Sequence, residues 1–317
     1  MVRKSILAER MSATPENVRK YHLGGVLSGA GSWPGDNTPM DWVSMIDDYW
    51  LASMFADDDH LAIPVIYGTD ALHGHNNLRG ATLFPHNIGL GAAGDTDLVN
   101  RIAAVTAREV IATGVDWVFG PTLSVARDCH WGRFYESYSE DPDIVASCGS
   151  EFIKRVQAGD DFSGLVACAK HWVGDGGTTN GVDQGETSLP IDKLQQIHIK
   201  PYRAAIQADV LTVMASFSSW NGEKCHGHKY LLTEVLKNEL QFAGYVVSDW
   251  DGIDYLSEDY NNAVALAVNA GIDMFMISDA WSDFLAHLKV HVRHGRVSMQ
   301  RIDDAVRRIL RVKFAAG

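Results

Sequence analysis

Cysteine is scarce in this chain of 317 residues: Cys129, Cys148, Cys168 and Cys225 are all it has, and no two are spaced as CxxC. Neither a disulfide framework nor a zinc site built on paired thiolates is expected, and Cys168, inside an apolar run, reads as a small core residue. No stretch of about 18 consecutive apolar residues occurs, which argues against a transmembrane helix. The opening MVRKSILAERMS is charged too early and too often for a signal peptide, so the compartment is left open. GxGxxG after the first strand-like run is missing, and so is GxxxxGKS/T, which removes the usual nucleotide cradles. Positive charge is in deficit: 27 Lys and Arg stand against 40 Asp and Glu, a net −13. Nucleic acid and anionic membranes are therefore not expected as partners, and nothing calls for a cofactor or a metal.

What is present is apolar residue, 46% of the chain, and aromatic surface, with 9 Trp, 10 Tyr and 11 Phe. Aromatic faces stack on sugar rings, although core packing explains most of them. Short apolar runs recur at Ser5–Ala8, Gly25–Leu27, Pro64–Tyr67, Asp116–Phe119, Leu165–Lys170, Leu211–Phe217, Tyr245–Asp249 and Met274–Ile277. Several are apolar throughout rather than alternating, the pattern of strands covered on both faces. Helical spacing fills the gaps. Thr96–Thr113 stops at Gly114, Asp143–Ala158 behaves similarly, Leu231–Leu240 ends before Gly244, and Ser298 is placed to cap a last helix reaching about Phe314. Eight alternating units without a Pro/Gly-rich linker predict an α/β protein, one (β/α)₈ TIM-like barrel over residues 1–317, with an open doubly wound sheet as the alternative.

Barrels of this kind collect their chemistry at the C-terminal ends of the strands. The polar residues found there are Asp70 after the third run, Arg133 and Glu136 after the fourth, Lys170 and His171 at the fifth, Phe217 and Trp220 at the sixth, and Asp249 with Trp250 at the seventh. Each has a plainer reading. Asp249 could cap a following helix, Asp70 the turn at Leu72, and Lys170 could be one half of a structural ion pair or, in a lyase or aldolase, a Schiff-base nucleophile. Arg133 could be a solvated loop charge and Trp250 a core residue. His73 and His75 lie two apart but lack a third ligand nearby, so loop hydrogen bonds suit them better than a metal. As a set, these donors and acceptors with an aromatic face suit a neutral polyhydroxylated ring better than a phosphate.

At these residues the sequence resembles glycoside hydrolase family three, and within it the exo-acting β-glucosidases and glucan hydrolases. The stretches that carry the resemblance are GTDALHGHNN, RDCHWGRFYESYSEDP, ACAKHWVGDGGTTNG, VMASFSSWNG and GYVVSDWDGID, in the family's order. The resemblance implies a retaining double displacement on a β-glucoside or β-glucan oligosaccharide. Asp249 would be the nucleophile, Asp70, Arg133, Lys170 and His171 would hold the first sugar, Trp250 would line the next subsite, and Phe217 would border the nucleophile. Retention needs two carboxyl groups about 5–5.5 Å apart. In the glucosidase branch the acid/base glutamate comes from an α/β sandwich domain that follows the barrel, and this chain ends at Gly317. The single-domain β-N-acetylglucosaminidase branch instead places a histidine where this chain has Asp175. The expectation is a trimmed, engineered or partial enzyme, weak or inactive alone, or else a barrel that binds glucose without turning it over. Asp175, Glu136, Asp183, Glu186 and Asp251 are the candidate substitute acids. A rim meant for a second domain would expose apolar surface, which makes self-association a hypothesis. A secreted or periplasmic setting suits a parent enzyme of this kind.

Overall fold

The computed structural model describes residues 2–57, 60–158 and 165–317. Eight parallel strands form its centre: β1 (Ile6–Glu9), β2 (Gly25–Ser28), β3 (Ile66–Thr69), β4 (Trp117–Val118), β5 (Val166–Trp172), β6 (Thr212–Ala215), β7 (Tyr245–Val247) and β8 (Phe275–Ile277). Neighbours in sequence are neighbours in the sheet from β1 to β7, and β8 pairs with β1. The last seam, between β7 and β8, is closed by the Val246 carbonyl, which accepts from the amides of Asp273 and Met274 at 2.9 and 3.0 Å. The result is the expected (β/α)₈ barrel.

Alternate residues point to opposite sides of a strand, so a closed barrel has two apolar layers. The inner layer gathers Leu7, Leu27, Ile66, Trp117, Phe119, Val166, Cys168, Met214, Tyr245, Val247 and Met276. Their strand neighbours Ile6, Ala8, Val26, Tyr67, Val118, Ala167, Ala169, Val213, Val246 and Phe275 face the helices instead. Both sets are buried, which is why the strands read as continuous apolar runs. The last helix, Met299–Ala316, is capped by the Ser298 side chain as expected, and its Ile309 and Val312 join the inner layer. Lys313 on the same helix donates to the carbonyls of Gly24 and Pro64, at the N-terminal ends of β2 and β3. The helix thus floors the barrel, and the open end is the C-terminal one.

Several boundaries differ from the sequence reading. β3 begins at Ile66 rather than Pro64, because a proline cannot donate to a ladder. The sixth run, read through Phe217, leaves the barrel after Ala215. Ser219–Trp220 then pairs antiparallel with Glu223–Lys224 and parallel with Glu186–Thr187, a small sheet beside the barrel mouth. Thr96–Ile111 is capped by Asp95 and ends two residues early, and the helix of the following unit is Pro142–Gln157, capped by Asp141. The stretch read as Leu231–Leu240 is wound with i→i+5 bonds over Tyr230–Glu239. From this helix the buried Lys237 donates to Asp273 at 2.8 Å, and Asp273 also accepts from Arg301. This ion cluster ties the helix of the sixth unit and the entry to β8 to the last helix.

Candidate active site

The C-terminal mouth holds a cavity of about 550 Å³, lined by all seven residues to which the resemblance gives roles: Asp70, Arg133, Lys170, His171, Phe217, Asp249 and Trp250. They come from five different strand ends. Glu136, His73 and Tyr135 line it too, above a floor of inner-layer residues including Phe119, Met214 and Met276. Trp220 lies outside it and donates to the Leu189 carbonyl at 2.9 Å.

Lys170 stands at the end of β5 and is almost fully buried. Its ammonium donates to Asp70 Oδ1 at 2.9 Å. Burial by itself would pull its pKa down, but the carboxylates of Asp70 and Glu136 outweigh that and hold it above its usual value. A lysine kept protonated is a poor Schiff-base nucleophile, so the aldolase reading loses its support. Arg133 forms a two-pronged pair with Glu136, Nε to Oε1 and a terminal nitrogen to Oε2, both at 2.8 Å. The same terminal nitrogen lies 3.1 Å from His171 Nε2. Burial opposes ionisation of Glu136, yet the Arg133 guanidinium overcomes it and keeps the carboxyl below its ordinary range. An ionised, doubly paired carboxylate is a poor proton donor near neutral pH.

His171 is buried. Its Nδ1 is 2.9 Å from Asp175 Oδ2, and its Nε2 is 3.7 Å from Asp249 Oδ2. Burial first, and the Arg133 charge second, push its pKa down to about 3. The hydrogen-bond pattern fits a neutral ring that donates through Nδ1 to Asp175 and accepts at Nε2 from Arg133. Asp175 is buried beneath it, bonded to the Ser124 hydroxyl at 2.6 Å and the Gly176 amide at 3.0 Å, and burial raises its pKa. It orients His171 and does not line the cavity. The other candidate acids lie elsewhere. Asp183 accepts from the Trp131 indole at 3.2 Å, Glu186 from the Gly222 amide at 3.0 Å, and Asp251 from the Ser278 amide at 2.8 Å. Asp70, Glu136 and Asp249 are the carboxylates among the residues lining the cavity.

Asp249 follows β7 with its side chain mostly buried but open to the cavity. Its Oδ1 accepts the Trp250 amide at 2.7 Å, and its own amide donates to His226 Nε2 at 2.9 Å. It precedes the short 3₁₀ turn Gly252–Leu256, whose N-cap position is Asp251, so Asp249 caps no helix. Trp250 is 39% exposed, so it is not a core residue. Its ring lies over Gly29, where an added Cβ would sit 2.8 Å from the indole, so glycine is what lets it lie flat across the mouth. Phe217 packs against His226 with ring centroids 5.6 Å apart. His73 and His75 have separate partners: His73 meets His86 at 3.1 Å, and His75 meets the Thr113 hydroxyl at 3.0 Å. The sequence reading missed His226, because it lies in GEKCHGH, a polar stretch with no periodicity and no motif.

Four buried histidines make a prediction about stability. Burial lowers His75 and His198 to about 4 and His171 and His226 to about 3. In the unfolded chain each takes up its proton near pH 6.5, as an ordinary histidine does (about 6.5). Folded pKa values below the unfolded one mean that these groups stabilise fully above that pH, and the contribution is lost as pH falls towards 4 and 3. Asp116, raised by burial to about 6, and Asp175 act in the opposite direction but are fewer. The unfolding free energy from urea titrations is expected to fall from about pH 7 to about pH 5, with a slope approaching about 1.4 kcal/mol per pH unit for each unbalanced histidine, and the midpoint with it. A flat midpoint across that range would contradict a net excess of buried neutral histidines over the buried carboxyls that oppose them.

A closed (β/α)₈ barrel with a charged, aromatic-rimmed cavity at its C-terminal mouth defines the class: a barrel built to take a small polar ligand at the strand ends. The chain belongs to glycosyl hydrolase family 3. Residues 3–312 match that family's N-terminal domain. It is 33% identical over 318 residues to the lysosomal beta glucosidase of Dictyostelium discoideum, covering 94% of this chain and 38% of that protein. Among solved structures, the exo-1,3/1,4-beta-glucanase of a Pseudoalteromonas species superposes on all of this chain and 41% of its own, with a TM-score of 0.94 and 46% identity. A beta-glucosidase from Listeria innocua in complex with laminaribiose matches 99% of this chain and 44% of its own, at 25% identity and a TM-score of 0.84. The chain therefore spans less than half the length of these relatives.

Proposed function

We propose that this barrel is the sugar-holding, nucleophile-bearing part of a retaining β-glucosidase-type hydrolase. Asp249 is its nucleophile. The observation that carries the reading is the convergence of Asp249, the Asp70–Lys170 pair and the Arg133–Glu136–His171 group on one cavity. Asp70, Lys170, Arg133 and His171 bracket the hydroxyls of a glucose unit, with Phe217 beside the nucleophile and Trp250 facing the next sugar. A carboxylate oxygen of Asp249 attacks the anomeric carbon, the bond to the aglycone oxygen breaks, and a glycosyl-enzyme forms. Water then displaces Asp249 and restores the original configuration.

The aglycone oxygen needs a proton as it leaves, and the cavity carboxylates are ill placed to give it. Glu136 is locked to Arg133 and Asp70 is paired with Lys170, while Asp175, outside the cavity, sits beneath His171. The acid/base therefore comes from outside this barrel, in keeping with relatives more than twice as long. A missing general acid typically costs about 10²–10⁴-fold. The isolated chain is expected to hydrolyse aryl glucosides with strongly acidic phenols weakly, and laminaribiose or cellobiose less by that factor, as read by glucose release. Similar rates on both would mean that the barrel contains its own acid. The same lack of an acid favours a second reading, a barrel that binds glucose or gluco-oligosaccharides without turnover. Adduct formation on Asp249 separates the two.

A further inference from the structure

Asp249 does not hang from a free loop: its backbone is fastened to a histidine on another unit of the barrel. His226 lies in the turn Cys225–Gly227 that follows β6 and is buried. Its Nε2 takes the Asp249 amide at 2.9 Å. An N–H donor needs a lone pair to meet it, so Nε2 is unprotonated and a neutral ring carries its proton on Nδ1. Burial, which lowers the pKa of His226 to about 3, fits that single form. Phe217 packs at a tilt against the ring, with centroids 5.6 Å apart. Gly252 also abuts it: a Cβ there would stand 2.4 Å from Nε2, so any larger residue would displace the imidazole. The chain reaches Gly252 through Asp251, which takes a left-handed turn at φ 49°. The stretch Ser248–Gly252 is thus wrapped around the histidine.

We infer that His226 is a positioning residue for the reaction: it fixes the backbone from which the Asp249 carboxylate projects, and Gly252 serves by leaving room for its ring. This rests on the reading of Asp249 as nucleophile. His226 is not among the cavity-lining residues, so its effect belongs to the attack step rather than to sugar binding. A shift of about 1 Å in a reacting group can cost about 10²-fold.

The test uses the whole chain and a 2-deoxy-2-fluoro-glucoside bearing a dinitrophenyl group, following adduct formation by intact mass, with glucose affinity measured in parallel. His226→Leu is expected to slow labelling about 10²-fold with glucose affinity held within about threefold. His226→Gln, which can offer an oxygen near the Nε2 position, is expected to recover most of the rate. Gly252→Ala keeps the histidine but crowds it, and is expected to slow labelling like the leucine variant, which covers the case in which that variant does not fold. Hydrogen exchange of the peptide spanning residues 245–256 should rise in His226→Leu and not in His226→Gln. Labelling of His226→Leu or Gly252→Ala within about threefold of the parent would overturn the inference, and so would equal loss of glucose affinity and labelling in all three variants. If the parent chain itself takes no label, the nucleophile reading fails instead, and the inference falls with it.

Discussion

Replacing Asp249 by glycine is expected to lower hydrolysis of a dinitrophenyl β-glucoside by about 10⁴–10⁶-fold, the range found when a covalent nucleophile is removed. The leaving group needs no proton, so the measured loss reports the attack step and not proton donation. Glucose binding should survive. The Asp70–Lys170 pair and Arg133 hold the cavity through bonds that do not involve the Asp249 side chain. The deletion also opens space beside His171 Nε2 and Phe217. Azide entering that space is expected to restore activity and to yield the α-glucosyl azide, because one displacement replaces two and the configuration inverts. A β-configured product, or full activity without azide, would assign the nucleophile elsewhere. Proton NMR of the product decides it.

Arg133→Met has the second largest expected effect, and it acts on both stability and binding. Arg133 satisfies both oxygens of the buried Glu136 and supplies the donor that His171 Nε2 accepts. Removing one partner of a buried pair strands the other as an uncompensated charge, at a cost of about 3–5 kcal/mol. Lys170 nearby softens this, since it too lies against Glu136. Replacing both residues, as Arg133→Met with Glu136→Leu, should recover much of the lost stability in urea unfolding, because no charge is left stranded. It should not recover sugar binding, in which a lost hydrogen bond to a charged group is worth about 1.5–3 kcal/mol, some 10- to 100-fold in affinity. Recovery of binding along with stability would make Arg133 a purely structural residue.

How much of this was legible beforehand follows from what sequence encodes. A strand buried on both faces leaves an unbroken apolar run, so the eight strands were visible, and the barrel rule placed their polar successors at one mouth. That is why residues as far apart as Asp70 and Trp250 were selected together and line a single cavity. The resemblance to family three added roles that spacing alone does not supply. Pairings were not legible. Nothing local says that Lys170 meets Asp70, since that contact depends on how loops of different units fold back. Glu136 lies only three residues from Arg133, but that spacing alone does not choose between the arginine and a substrate as its partner. Nor did the sequence show that the sixth unit leaves the barrel at Ala215 to build a small sheet, because SSWNG continues the same β-rich composition. His226 was invisible for the same reason: its importance lies in one backbone amide 23 residues away. Gly252 gave the nearest signal, a glycine two residues beyond Trp250 whose need becomes plain only with the imidazole beside it.

The most direct test of the central claim is the intact mass of the parent chain after incubation with the 2-deoxy-2-fluoro-glucoside carrying a dinitrophenyl group. That reagent departs without an acid and leaves a slowly hydrolysed glycosyl-enzyme. The account predicts a gain of one fluoroglucosyl unit, on the peptide that contains Asp249. A chain that binds glucose but gains no mass, or gains it on another residue, would contradict it.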